Sequence, residues 1–112
     1  EIIPGNSVGL LYGFLYGCNA VTSGASVVFP KESVKILNLI ESGNYTEAAK
    51  QHRKVLKLRE IIGRCSCPPS AAHFLLHKYG MPLGYPRKNW PSINESTGSE
   101  LVDQIENILC EN

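Results

Sequence analysis

Few residues in this chain have the type and spacing that chemistry needs. His73 and His77 stand four apart, so on a helix their imidazoles share a face, a spacing that suits a divalent metal. No Glu or Asp lies in that segment to complete the ligand set, so a structural or surface role is expected for both. Cys65-Ser66-Cys67 is a single CxC, and Cys18 and Cys110 sit far away at either end. A tetrahedral site draws cysteines in pairs spaced two to four apart, so neither a metal nor a disulfide framework is expected. Ser23-Gly24 lacks the Gly-x-Ser-x-Gly elbow of a hydrolase nucleophile. A nucleophilic lysine must be kept neutral by burial or neighbouring charge. Lys31 and Lys35 open an amphipathic helix, and the remaining lysines, as far as Lys88, fall on helix surfaces or in an irregular segment. No catalytic residue is therefore expected within the 112 residues, and no cofactor.

These side chains need elements to hold them. The length suits one domain, and 11 Lys+Arg against 10 Asp+Glu leave a net charge of +1, too balanced for a nucleic-acid partner. No apolar run of 18 residues exists, so no membrane partner is expected. The start Glu1-Ile2-Ile3-Pro4-Gly5 has no leader pattern, which makes a cytoplasmic location the expectation. Asn44-Tyr45-Thr46 and Asn94-Glu95-Ser96 match the glycosylation pattern by accident on this reading.

Pro4-Gly5-Asn6-Ser7 is a turn cluster in which Asn6 or Ser7 caps a short helix carrying Leu10, Leu11, Phe14 and Leu15 and ending at Gly17. Residues 19–29 turn small and β-branched, the signature of a buried strand through Val21 followed by an extended loop. A helix over 31–42, with Val34, Ile36, Leu37, Leu39 and Ile40 on one face, stops at Ser42-Gly43. Asn44 and Glu47 have capping-box spacing and open a helix over 45–62, whose buried stripe runs through Ala48, Ala49, His52, Val55, Leu56 and Leu58. Its Lys50, Arg53, Lys54, Lys57 and Arg59 read as a solvated face. Residues 70–79 give a further helix ended by Gly80, and Thr97-Gly98-Ser99-Glu100 repeats the capping box before a last helix with Leu101, Val102, Ile105, Ile108 and Leu109. The class expected is α/β, though mostly α. A lone strand has no sheet to join, which suits the end of a (β/α)8 barrel of about 250 residues.

Gly5-Asn6, the run from Gly17 through Asn19-Ala20-Val21-Thr22-Ser23-Gly24 to Phe29-Pro30, Ser42-Gly43-Asn44 leading to Glu47-Ala48-Ala49, and Tyr79-Gly80-Met81-Pro82-Leu83-Gly84 with Arg87 follow one another in a telling order. Together they resemble the C-terminal part of the dihydrodipicolinate synthase and N-acetylneuraminate lyase family of pyruvate-dependent aldolases. The resemblance implies the last strand and helices of a TIM barrel plus C-terminal helices, with residues 1–62 as the last βα portion and 63–112 as a helical extension. It implies a carbon–carbon or carbon–oxygen lyase in which a lysine forms a Schiff base with pyruvate or a related 2-oxo acid and a tyrosine relays protons. Both would lie upstream, leaving the 112 residues inactive alone.

On the same resemblance Gly5, Asn6 and Ser7 would contact the distal part of a small-molecule 2-oxo acid, with Thr22 and Ser23 near the imine and carboxylate. Relatives usually carry an acidic residue in the first of these loops, and Asn6-Ser7-Val8 has none. Arg87 would follow the family's late Gly-x-x-Arg element, although Asn89 stands where proline is common. A homo-oligomer, commonly a tetramer, is the expected assembly. The competing expectation is a non-catalytic helical interaction module or a truncated remnant.

Overall fold

Three helices end in the same way, and glycine is the cause. At Gly17, Gly43 and Gly80 the backbone turns left-handed, with φ of 81°, 77° and 85°. In each case the next amide reaches back five residues while the glycine amide reaches back three. Thus Asn44 N donates to Leu39 O at 2.8 Å and Gly43 N to Ile40 O at 2.9 Å, and Met81 N donates to Leu76 O at 2.8 Å. This pair of hydrogen bonds satisfies carbonyls that a helix end otherwise leaves open.

The computed structural model describes residues 2–81, 83–84 and 89–111. Arg87 and Pro82 lie outside the described residues. Six helices are formed: α1 (Leu10–Leu15), α2 (Gly24–Val28), α3 (Pro30–Glu41), α4 (Tyr45–Arg64), α5 (Pro68–Lys78) and α6 (Glu95–Cys110). Helix ends at Gly17, Gly43 and Gly80 agree with the sequence reading.

The α/β expectation is corrected. Among the described residues there is no strand and no sheet; an isolated parallel bridge between Gly5 and Thr22 is the sole β pairing. The fold is all-helical and is not a strand-bearing barrel segment. Residues 19–29 fail as a strand because Ser23, in extended conformation, caps a helix, its Oγ accepting from Ser26 N at 3.3 Å. The β-branched pair Val27-Val28 is then absorbed into α2, since strand propensity is weak beside a satisfied cap.

The start of α6 is also corrected. Asn94, not Thr97, is the cap, with its Oδ1 accepting from Thr97 N at 2.8 Å. Gly98 therefore falls inside the helix. The Asn44–Glu47 capping box is replaced as well, because Asn44 N is spent on Leu39 O and Glu47 pairs with Lys50 at 2.6 Å.

The chain divides into two units, residues 1–59 and 60–112. In the first, α1 and α2 both pack on α3. Leu10, Ala25, Ile36, Ala48 and Val55 form the core, with Leu11, Phe14, Val21, Leu39 and Ile40 against it. Val34, expected on the inner face, is exposed. Gln51, which the apolar stripe passes over, is buried; its Nε2 donates to the Glu32 carbonyl at 3.1 Å and to the Glu32 carboxylate. In the second unit α5 packs on α6, with Ala71, Leu75, Leu76, Leu101 and Ile105 buried. No described helix is long and apolar enough to cross a membrane.

Candidate functional site

The five residues named from sequence come together in the first unit, on two turns. The first turn precedes α1. Asn6 takes the left-handed conformation at φ 67°, which asparagine tolerates better than most residues because its short side chain bonds locally. Its Oδ1 accepts from Val8 N at 2.8 Å and from Gly9 N at 3.3 Å, fixing the turn. The second turn precedes α2. Thr22 N donates to Pro4 O at 3.0 Å, which brings the two turns side by side at the Gly5–Thr22 bridge. Thr22 Oγ1 lies 3.8 Å from where a Gly5 side chain would begin. Ser7, two residues past Gly5, and Ser23, one past Thr22, are hydrogen-bonded Oγ to Oγ at 2.7 Å.

Burial divides these groups by task. Ser7 is 2% exposed, and two of its polar atoms are bonded within the protein: Oγ to Ser23 and the carbonyl to His52 Nε2 at 2.9 Å. Gly5, Asn6 and Thr22 are exposed. Asn6 Nδ2 and Thr22 Oγ1 bond to no described residue, so a neutral amide and a hydroxyl face outward. Such a pair donates to an oxygen, either a carboxylate, a carbonyl or a hydroxyl. It carries no charge and no general base.

His52 is the residue that sequence reasoning did not assign to the site. It was legible as part of the buried stripe of α4, but its bond to Ser7 spans 45 positions and has no local signal. Tyr12 meets its ring edge-on at a centroid distance of 6.4 Å.

The second unit carries a separate cleft of about 420 Å³, lined by Ser70, His73, Phe74, His77 and Glu95 among others. Here His73 and His77 share a face, and Glu95 is paired with Lys78 at 3.1 Å. Among the described residues, His73 Nδ1 is buried without a partner. Among the described residues no three metal-ligating side chains converge. All four cysteines are free thiols, and burial pushes the Cys65 thiol above its ordinary range.

No family model matches the chain. Over 93 residues, 82% of the chain, it is 32% identical to the 4-hydroxy-tetrahydrodipicolinate synthase of Listeria innocua serovar 6a. The match spans 31% of that enzyme's length. The chain thus bears a distant resemblance to part of a synthase.

Proposed function

We propose that the chain is the C-terminal segment of a longer class I aldolase or lyase of the dihydrodipicolinate synthase type, acting on pyruvate or a related 2-oxo acid. The catalytic lysine and tyrosine belong, on this reading, to sequence before residue 1. The lysine amine would add to the ketone and lose water to give the imine. The 112 residues would contribute binding: Asn6 Nδ2 and Thr22 Oγ1 as donors to substrate oxygens, with Gly5, Ser7 and Ser23 holding the two turns together. The observation that carries this reading is the meeting of the two turns at Gly5 and Thr22, in a chain 32% identical over 93 residues to a synthase of that type. Self-association belongs to the same reading and is supported by Ile2, Tyr12 and Tyr16, all exposed.

Borohydride trapping tests it. An imine between pyruvate and a lysine is reduced by borohydride to a stable secondary amine, which mass spectrometry locates. The expected result is no adduct on the 112-residue chain and one adduct per chain in a protein extended upstream through its own reading frame, on a lysine preceding residue 1. A stoichiometric adduct on the 112 residues, or none on the extended protein, would overturn the assignment.

A further inference from the structure

We infer that His52 is a positioning residue for the candidate site: through Ser7 it fixes the turn from which Asn6 presents its outward donor. The inference deepens the proposed reading and rests on it for the identity of the ligand alone.

The argument begins with the proton. A carbonyl oxygen only accepts, so the 2.9 Å contact between His52 Nε2 and Ser7 O requires the hydrogen to be on Nε2. Both partners are withdrawn from water, His52 at 5% and Ser7 at 2% exposure. Breaking the bond would leave a buried carbonyl and a buried ring nitrogen without partners, which costs more than the net worth of the bond itself. The ring cannot swing aside freely, because Tyr12 stands edge-on to it and α4 fixes its backbone.

The other restraints on the turn are local or come from its neighbour. Asn6 Oδ1 closes the turn on itself, and Ser7 Oγ joins it to Ser23, whose own Oγ is tied to Ser26 N. His52 is different in origin. It belongs to a 20-residue helix whose Ala48 and Val55 are core residues, so the bond refers the turn to the packed interior of the unit. Asn6 immediately precedes the anchored carbonyl. Loss of the anchor therefore frees the outward amide, and a ligand oxygen held by it should bind more weakly while chemistry elsewhere proceeds.

The test compares wild type with His52→Leu and His52→Gln, the second keeping a donor of similar reach. Amide hydrogen exchange at Val8 and Thr22 should quicken about tenfold in the Leu variant, the scale of one lost hydrogen bond. Exchange at Ile36 in α3 should not change, and the Gln variant should recover most of the protection. In the catalytically complete protein the Leu variant should raise KM for the 2-oxo acid about tenfold with kcat within about twofold, because positioning of a binding group is lost rather than a reacting one. Unchanged exchange at Val8 and Thr22, or equal acceleration at Ile36, overturns the inference; so does a fall in kcat with KM unaltered. A wild-type protein extended upstream that traps no pyruvate overturns the proposed function instead, and the exchange measurements still decide the role of His52.

Discussion

Gly98 offers a test in which two effects of known sign oppose each other. Gly98→Ala inside α6 should gain about 1 kcal/mol of helix propensity. Against this, an added Cβ would stand 2.1 Å from Phe74 Cζ and 2.5 and 2.6 Å from the two Cε atoms. Ordinary Cβ contacts begin near 3.4 Å, so the ring tip must retreat by about 1.3 Å to reach one. Overpacking of this kind costs about 1–3 kcal/mol, and three ring atoms are involved rather than one flexible end. We expect the clash to win, with a net loss of about 1 kcal/mol.

Phe74→Leu sharpens the case, because leucine lacks the same three atoms, Cζ and both Cε. In that background Gly98→Ala should stabilise by about 1 kcal/mol, a reversal of sign and a coupling near 2 kcal/mol. Native-state hydrogen exchange at the amides of α5 and α6 reads the stability of the second unit directly. If Gly98→Ala stabilises in both backgrounds, the close approach of the ring to α6 is not what holds position 98 to glycine.

Two other outcomes follow from particular residues. Gly43→Ala should lower stability by about 1 kcal/mol in urea unfolding, because φ is 77° and an added Cβ meets nothing within 4 Å, so left-handed strain is the whole cost; Gly43→Asn should lose less. The Cys65 thiol, raised by burial, should react with iodoacetamide at pH 8 more slowly in the folded chain than in the urea-unfolded one. Since the unfolded thiol releases its proton first, its contribution to stability should fall as pH climbs from the ordinary value of 9.0 through the raised one. Equal alkylation rates would show that burial does not act on it.

Helix ends were readable because their causes are local. Gly17, Gly43 and Gly80 supply the left-handed residue within five positions of the carbonyls they satisfy, and Pro30 marks a first turn, whereas α5 starts at Pro68, two residues before the expected 70. What misled was also local. Residues 19–29 have the composition of a strand, and one serine at the right place turns five of them into a helix. At the start of α6, Asn94 and Thr97 are both good caps, and local sequence does not say that Asn94 takes the role. The site itself was half legible. The first turn carries its own Pro, Gly and Asn signals, whereas the second reads as strand, and their meeting depends on a contact between residues 16 apart and another 45 apart, which no periodicity encodes.

The charge at the site says what these residues are able to do. Gly5, Asn6, Ser7, Thr22 and Ser23 include no acid and no base, and the imidazole beside them commits one nitrogen to the Ser7 carbonyl. A proton acceptor for chemistry would need an ionisable atom within about 3 Å of the reacting group, and the outward atoms are instead an amide and a hydroxyl. Donors of that kind hold an oxygen in place without moving its proton. An acidic side chain at this turn would repel a carboxylate, which the neutral amide of Asn6 does not. On the proposed reading, a neutral amide at this turn would bear on which substrate oxygen is held, and the reactivity of the carbonyl would be set by groups outside these two turns.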